Sequence, residues 1–406
     1  MHLSSRVIGI PNSITMKLNE RAMQLTEEGK VIYNLSGGQL PIKPMPEFIE
    51  KIHHQLNFLK SYQYSPSAGF PHLRHKLLKS FTEATDLPEE LFEEGWDVIL
   101  SNGSKHSIYN ALGALIDPGD EVILLAPYWV SYPEMVKFWG GIPTVVRSNV
   151  FDAFVPAIDD IRKAMSPRTR AIILNSPNNP SGVHYSEQWM KEFAAFLKDY
   201  PNVVVISDEV YCDINYFDPK PSYFYQYDQE LLSQTIIIRA ISKALASTGL
   251  RLGYCIAPAN VVDGMTRIQG QTTSGPNSLI QRAVMDFDLT LIQKFLTPVK
   301  THIRNNAAIL RERFREAHLG HCWYQSTSAF YFLIDFSRTP MFARFEGKSE
   351  EDHSYVIADE LLDQEGVAVV PGLDFGIPNS GRISLVIEEI PFQEAISKIV
   401  KYLTRA

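Results

Sequence analysis

Short runs of β-branched and other apolar residues recur along the first two thirds of the chain. Helix-like stretches lie between several of them, as at Ser104–Ile116 and at Ser186–Lys198, where Ser186 is a candidate N-cap. Because the apolar runs do not alternate with polar residues, they predict strands buried on both faces, and the pattern indicates a mostly parallel, helix-covered sheet. The predicted strands are Val98–Leu100, Glu121–Ala126, Thr144–Val146, Ala171–Leu174, Val203–Ser207, Thr235–Ile238 and Gly253–Ala257.

The pattern changes after about Ser274. One long helix is predicted at roughly Ser278–His318, and the later segments FYFLIDF, VAVVPG and RISLVI are typical of a smaller mixed α/β unit. We expect the N-terminal segment to join that unit. The predicted organisation is therefore a large domain at residues 46–290 and a small domain built from residues 1–45 and 291–406.

Composition narrows the class of protein. The chain has 406 residues and a formal net charge of −8, without a basic domain or arm, which argues against nucleic acid as a main partner. No apolar run is long enough to cross a membrane and no signal peptide is recognisable, so a cytoplasmic location is expected. Cys212, Cys255 and Cys322 show no CxxC spacing, which predicts neither a disulfide framework nor a metal site.

Polar side chains follow three successive predicted strands. Asn179 comes after the strand AIILNSP, Asp208 and Tyr211 after VVVIS, and Lys243 after TIII. Ligands bind at the carboxyl edge of open α/β sheets, and the SNGSK turn opens a helix whose backbone amides can bind a phosphate. An acid, a phenol, an amide, an amine and a phosphate cradle match the needs of pyridoxal phosphate. A purely structural role remains open for these features: Asp208 is then a helix cap, and SNGSK is an ordinary strand–turn–helix junction.

Lys243 is the unusual member of this group. Lysines normally lie on the wet surface, but Lys243 stands in the apolar, small-residue stretch AISKALASTGLR. Such surroundings favour an uncharged, reactive amine.

Ten motifs of the chain occur in the order seen in a known family. They are NSITMKLN, YSPSAGFPHLR, SNGSKHSIYNAL, DPGDEVILLAPYWVSYPEM, NSPNNPSG, SDEVY, SKALASTGLRLGY, SAFYFLIDF, VAVVPG and GRISL. With these motifs the sequence resembles the class I, fold-type I pyridoxal-phosphate aminotransferases, and within them the bacterial and plastid aspartate aminotransferases. The resemblance spans nearly the whole chain and implies a seven-stranded, mostly parallel sheet in the large domain.

The resemblance implies a role for each matching residue around the cofactor. Lys243 forms the Schiff base with the cofactor aldehyde and shuttles the proton, on a path through pyridoxamine phosphate. Asp208 pairs with the pyridine nitrogen. Tyr211 and Asn179 donate to the phenolic oxygen, and Trp129 stacks on the ring, unless Trp129 is simply core or interface packing.

Further residues are implied for the phosphate and the subunit interface. Tyr64 reaches the phosphate of the neighbouring subunit, so the resemblance implies a homodimer with shared sites. The expected phosphate group is Gly103, Ser104 and Arg251, with Lys105 and Ser242 beside them.

Substrate contacts complete the implied site. Arg382 binds the α-carboxylate with a bidentate fork, and the backbone of Gly38 lies against the substrate together with Trp129 and Asn179. Thr15 and Lys105 recognise a distal carboxylate, which favours aspartate as donor and 2-oxoglutarate as acceptor. The alternative is that Thr15 caps a helix and that Lys105 is a surface lysine.

The sequence departs from the family pattern at three places. Arg239 and Ala240 replace the small polar residues usual before the lysine, which suggests redistributed phosphate contacts. Ser328 replaces a glycine of the substrate wall, and Leu250 replaces a tryptophan, which is expected to change packing only.

Other functions remain open from the sequence. Aromatic amino acids or prephenate are alternative aminotransferase substrates. A C–S lyase on the same scaffold shares Lys243, Asp208 and Arg382 but has no need of Thr15 and Lys105. A cofactor-binding regulatory module is also considered, but such proteins usually carry a DNA-binding domain, and no basic helix-turn-helix segment precedes this scaffold.

Overall fold

The computed structural model describes residues 2–10, 14–93 and 95–405, without the side chains of residues 5, 6, 14–16 and 19. The strands in this part are β1 (Tyr33–Asn34), β2 (Trp96–Ser101), β3 (Glu121–Leu125), β4 (Ile142–Val146), β5 (Thr169–Asn175), β6 (Val204–Asp208), β7 (Thr235–Ala240), β8 (Gly253–Pro258), β9 (Tyr331–Asp335), β10 (Val367–Ala368), β11 (Val370–Pro371) and β12 (Ser380–Ser384).

The helices connect and cover these strands. The α-helices are α1 (Ser5–Ile8), α2 (Ile14–Glu27), α3 (Pro46–Gln55), α4 (Pro71–Thr85), α5 (Ser104–Leu115), α6 (Tyr132–Phe138), α7 (Ile158–Ala164), α8 (Glu187–Leu197), α9 (Phe224–Tyr227), α10 (Ile241–Ala244), α11 (Ala259–Thr272), α12 (Ser278–Asp286), α13 (Leu291–Glu316), α14 (Ser354–Glu365) and α15 (Glu389–Leu403). Short 3₁₀ turns lie at Leu59–Tyr62, Glu89–Phe92, Val150–Asp152, Gln229–Gln234, Thr248–Leu250, Gly320–Cys322, Pro340–Phe345 and Gly372–Phe375.

A seven-stranded sheet forms the centre of the molecule, with strand order β2-β8-β7-β6-β5-β3-β4. The pairs β7–β6, β6–β5, β5–β3 and β3–β4 are parallel, whereas β8 runs antiparallel to both of its neighbours. All seven predicted strands are confirmed to within a few residues, and so is the mostly parallel α/β fold. The order places the carboxyl ends of β5, β6 and β7 side by side.

Both faces of this sheet are buried except along the edge strand β4, where Ile142 and Val145 are exposed. This burial explains why the other strands are continuous apolar runs in the sequence. Successive residues of a strand point to opposite faces, so Ile99, Val122 and Ile206 join one apolar layer, which α5, α6 and α11 cover. Leu100 and Ile123 join the other and larger layer. The predicted α5 and α8 are confirmed, and Ser186 caps α8 by accepting a hydrogen bond from the Trp189 amide at 3.2 Å.

The prediction of one helix at Ser278–His318 is wrong, because the segment forms α12 and α13 with a break between them. Asp288 accepts hydrogen bonds from both the amide and the hydroxyl of Thr290, and this local bonding competes with helix. The ammonium group of Lys76 caps the end of α12 by donating to the carbonyls of Val284, Met285 and Phe287. The capping lysine comes from α4, so the sequence around the break does not reveal it.

A smaller antiparallel sheet, in the order β11-β12-β9, carries the C-terminal part of the site. The N-terminal segment contacts this region, since β1 pairs in parallel with β10 and the Ser384 amide donates to the Leu35 carbonyl at 2.8 Å. The proposed boundaries after residues 45 and 290 stay predictions. No helix in the described ranges is both long enough and apolar enough to cross a membrane.

Candidate active site

The site is built where three neighbouring strands end. β5 ends at Asn175 and β6 at Asp208, and these two residues are paired across the ladder. The Asn175 side chain donates to the Asp208 carbonyl at 2.9 Å and accepts from the Asn179 amide at 2.9 Å. It therefore fixes the NPSG turn against β6, and the polar clusters predicted from separate motifs lie at one edge of the sheet.

Asp208 is buried and makes one strong side-chain contact. The Tyr132 hydroxyl donates to its Oδ2 at 2.5 Å, and the Val210 amide donates to its Oδ1 at 3.3 Å. Burial raises the pKa of Asp208 to about 6 in spite of these hydrogen bonds. A carboxylate in this position is stabilised by a cationic partner, such as a protonated ring nitrogen.

Lys243 lies on the short helix α10, directly after β7, with its side chain half-buried. Its Nζ donates to the Gly38 carbonyl at 2.7 Å and lies 5.5 Å from the centroid of the Tyr211 ring. Burial, and secondarily the positive charge of Arg382, lowers the pKa of Lys243 to about 8. The neutral amine is thus accessible at mildly alkaline pH, as a nucleophilic lysine requires.

Arg382 projects from β12 and is 3% exposed. Its Nη1 donates to the Asn179 side-chain oxygen at 3.2 Å and its Nη2 to the Ser36 carbonyl at 2.6 Å. Its Nε is buried without a hydrogen-bond partner. Since a buried unsatisfied donor is costly, this guanidinium is suited to an anionic ligand that accepts from it.

The phosphate cradle predicted at SNGSK has the required backbone. Gly103 adopts a positive φ of 82° just before α5, whose first amides have no acceptor within the helix. The Arg251 guanidinium lies so close that a Cβ on Gly103 would sit 2.7 Å from its Nη2. A side chain on Gly253 would lie 2.3 Å from the Ser104 amide nitrogen, so both glycines permit this close approach. The residues fit a phosphate group.

Trp129 and Lys105 lie at the outer side of the site. The Lys105 Nζ lies 4.8 Å from the centre of the Trp129 ring, and the Trp129 ring meets Tyr132 edge to face. Because Tyr132 holds Asp208, Trp129 is in the right neighbourhood to cover a cofactor ring. Lys105 is exposed, as expected for a residue at a site entrance.

Three predicted site residues stand apart from this cluster. Tyr64 is 94% exposed and makes no contact with this cluster in the described part of the chain. Ser242 is buried and donates to the Leu252 carbonyl at 3.2 Å. Thr15 lies in α2, and its side chain is outside the described residues. The roles assigned to these three residues stay predictions.

Sequence reasoning missed two tyrosines and one carbonyl that complete the site. Tyr132 holds Asp208, Tyr331 lies 3.1 Å from Tyr211 through their hydroxyl oxygens, and the Ser36 carbonyl binds Arg382. Both tyrosines fall inside quoted motifs, at YWVSY and SAFYF, so the motifs marked the right segments without showing what these side chains contact.

Two of the three departures from the family pattern have structural accounts. The Ser328 hydroxyl donates to the Asn215 side chain at 2.9 Å and lies 2.7 Å from His184 Nδ1. Its side chain therefore joins a polar cluster in the space that a glycine would leave unfilled. Arg239 forms a buried ion pair with Glu209, with 2.8 Å between Nη2 and Oε2.

Sequence comparisons relate this chain to aminotransferases. The profile of the family "Aminotransferase class I and II" matches residues 30–399. The aspartate/prephenate aminotransferase of Nitrosomonas europaea is 31% identical over 409 residues, covering 100% of both chains. The aspartate/prephenate aminotransferase of Thermus thermophilus is 32% identical over 413 residues, covering 100% of this chain and 99% of the relative.

Solved structures agree with the sequence comparisons. The aspartate aminotransferase from Thermus thermophilus with maleate superposes with a TM-score of 0.87 at 29% identity, covering 99% of this chain and 100% of that chain. The aspartate aminotransferase from Rhizobium meliloti gives a TM-score of 0.87 at 27% identity, covering 99% of each chain.

Proposed function

Because this chain belongs to the class I and II aminotransferase family, whose members use pyridoxal phosphate, we propose that it moves the amino group of aspartate to 2-oxoglutarate on a cofactor bound at Lys243. The observation that carries the proposal is a half-buried lysine of lowered pKa beside a buried acid and a buried, partly unsatisfied arginine. When bound, pyridoxal phosphate supplies an aldehyde that condenses with amines and a ring that accepts electrons.

Asp208 would hold the ring nitrogen of the cofactor in its protonated form. Burial raises the pKa of the Asp208 carboxyl, so a positive partner would stabilise its ionised form. A bound pyridinium would supply that charge, and Tyr132 fixes the carboxylate by donating to its Oδ2. Gly103, Ser104 and Arg251 would hold the phosphate, and Tyr211 and Asn179 would donate to the phenolic oxygen.

Lys243 carries the proton transfer. As a neutral amine, its Nζ would take the proton from the substrate α-carbon and would then give it to the cofactor carbon that comes from the aldehyde. The lowered pKa of Lys243 means that a large fraction of the amine is neutral near pH 8. The Gly38 carbonyl, 2.7 Å away, keeps the nitrogen at the substrate side of the site.

Arg382 orients the substrate for this transfer. Its planar guanidinium matches a carboxylate by two parallel hydrogen bonds, which the ammonium group of a lysine cannot reproduce. The buried Nε is one donor already free for that purpose. With the α-carboxylate bound here, the proposed preference for a dicarboxylate depends on Lys105 and Thr15 as the groups that recognise the distal carboxylate.

Lys105→Ala is expected to reduce the preference for aspartate about tenfold to a hundredfold, because a charge-assisted hydrogen bond contributes roughly 1.5–3 kcal/mol. The measurement is kcat/KM for aspartate, alanine and phenylalanine as amino donors, each with 2-oxoglutarate as the acceptor. Lys191→Ala is the matched control, since Lys191 is an exposed lysine on α8 that pairs with Glu187. The dicarboxylate assignment fails if the wild type does not prefer aspartate or if Lys105→Ala keeps that preference.

Product analysis in the same assays separates the reaction classes. An aminotransferase yields oxaloacetate and glutamate in equal amounts and leaves the amino nitrogen unreleased. A lyase on this scaffold yields ammonia and pyruvate from a substrate with a β-leaving group such as cystathionine. Ammonia release without glutamate formation would contradict the proposed reaction.

We also propose that the active unit is a homodimer to which Tyr64 contributes across the interface. Its 94% exposed side chain lies on a segment anchored by the Ser65 hydroxyl, which donates to the Pro276 carbonyl at 3.0 Å. Mixing Tyr64→Phe chains with Lys243→Ala chains should then restore one complete site in each mixed dimer.

Random exchange of equal amounts predicts recovery of about a quarter of the wild-type sites, because half of the dimers are mixed and each holds one intact site. The measurement is activity at saturating cofactor, before and after subunit exchange through mild denaturant. Tyr62→Phe, which changes a neighbouring exposed tyrosine, is the control in place of Tyr64→Phe. Unchanged activity after exchange contradicts the shared site.

A further inference from the structure

Tyr331 is the first residue of β9 and is 1% exposed. Its hydroxyl lies 3.1 Å from the Tyr211 hydroxyl, and the Arg382 guanidinium lies over its ring at 4.6 Å from the centroid. The Gly38 backbone closes the third side, since a Cβ on Gly38 would lie 3.5 Å from the Tyr331 hydroxyl. Tyr331 is thus in contact with the phenol, the carboxylate anchor and the backbone that holds Lys243.

We propose that Tyr331 is a positioning residue with two separable actions: its hydroxyl sets the hydrogen bond that Tyr211 donates, and its ring sets the plane of the Arg382 guanidinium. The inference rests on the proposed function, because both partners act on the bound cofactor and substrate. Tyr331 would affect the strength of the Tyr211 hydrogen bond and the orientation of Arg382, and the proposed reaction stays the same.

The hydroxyl argument follows from counting hydrogens. A phenol has one O–H donor, so when Tyr211 donates to the phenolic oxygen of the cofactor, its own oxygen must accept from Tyr331. Tyr331 retains its proton because burial raises its pKa. Hydrogen bonds in a chain polarise each other, so donation by Tyr331 makes Tyr211 a stronger donor.

The ring argument follows from the sheet. In the β9–β12 ladder Arg382 is opposite Leu333 and Ser384 is opposite Tyr331, so Arg382 and Tyr331 are diagonal neighbours on one face. The two hydrogen bonds of Arg382, to Asn179 and to the Ser36 carbonyl, fix the in-plane position of the guanidinium. The Tyr331 ring supports the face of that plane and so prevents the fork from tilting away from a carboxylate.

Two substitutions separate the actions. Tyr331→Phe keeps the ring and removes the hydroxyl, whereas Tyr331→Leu removes both. Tyr216→Phe is the matched control, because Tyr216 is a buried tyrosine whose hydroxyl bonds to Ser326 at 3.0 Å and belongs to another cluster. If Tyr331→Leu does not fold, Tyr331→Met tests the ring with a larger apolar side chain.

The first readout is the pH titration of the absorbance of the lysine-bound cofactor in the holoenzyme. When Tyr211 is a weaker hydrogen-bond donor, it stabilises less negative charge on the phenolic oxygen of the cofactor. The nitrogen that joins Lys243 to the cofactor then keeps its proton to higher pH. We expect Tyr331→Phe to raise the titration midpoint by about 0.3–1 pH unit, with KM for aspartate within about twofold of the wild type.

The second readout is the KM for aspartate and the inhibition constant of a dicarboxylate without an amino group. Tyr331→Leu is expected to raise both roughly tenfold beyond Tyr331→Phe, because Tyr331→Leu removes the nearer of the two rings that lie against the Arg382 guanidinium and leaves the Phe375 ring, 5.2 Å from its Cζ. A midpoint in Tyr331→Phe equal to that of Tyr216→Phe, or equal substrate affinities in Tyr331→Phe and Tyr331→Leu, overturns the inference. A wild type without the absorbance band contradicts the proposed function instead, so the two failures are distinguishable.

Discussion

Lys243→Ala is expected to lower kcat for transamination by about 10⁴-fold or more, because one side chain supplies both the covalent attachment and the proton transfer. General acid–base catalysis alone contributes about 10²–10⁴ in rate. The cofactor should still bind, since Asp208, Arg251 and the turn at Gly103 are untouched. The loss is therefore expected in kcat and not in cofactor content.

Single-turnover kinetics test this directly. Holoenzyme is mixed with aspartate alone, and the first half of the reaction is followed by absorbance and by oxaloacetate released. Lys191→Ala, an exposed lysine in an ion pair with Glu187, should behave as the wild type. A Lys243→Ala protein that retains more than about one percent of the wild-type rate contradicts the role given to this lysine.

Arg382→Leu is expected to lower kcat/KM for aspartate by about 10²–10⁴, since two charge-assisted hydrogen bonds to the α-carboxylate contribute roughly 3–6 kcal/mol together. The substitution also leaves the Asn179 side chain and the Ser36 carbonyl without their present donor. Arg382→Lys keeps the positive charge but lacks the planar fork, so its kcat/KM for aspartate should lie between those of the wild type and Arg382→Leu.

A substrate analogue makes the second prediction specific. The wild type should prefer aspartate strongly over its α-amide, which lacks the anionic carboxylate. Arg382→Leu should show little preference between the two compounds, whereas a merely unstable variant would lose activity and keep the preference. Equal discrimination in the wild type and Arg382→Leu would place the carboxylate anchor elsewhere. Circular dichroism and thermal melting confirm that the variant is folded.

The central sheet was predictable because its strands are buried on both faces, and that burial leaves continuous apolar runs in the sequence. The edge at which the site lies followed from the same pattern, since parallel strands place their carboxyl ends together. The sequence alone therefore places Asn179, Asp208 and Lys243 in one group. The break between α12 and α13 could not, because Lys76, over two hundred positions away along the chain, caps it.

The missed side chains share one physical cause. Tyr132 contacts Asp208 across 76 positions and Tyr331 contacts Tyr211 across 120 positions, and no local periodicity encodes such pairs. The Ser36 contact to Arg382 uses a backbone carbonyl, which every residue type provides. Chemistry that depends on a residue type at a strand end is visible in the sequence, whereas the groups that orient it depend on packing.

The most direct test of the account is the site of cofactor attachment. Wild-type holoenzyme is reduced with borohydride, digested, and mapped by mass spectrometry for the mass of the reduced cofactor. We expect one modified peptide, carrying the label on Lys243, and no labelled peptide from Lys243→Ala treated in the same way. Label on another lysine such as Lys105, or an equal yield of labelled peptide from Lys243→Ala, would contradict the assignment of Lys243 and with it the proposed site.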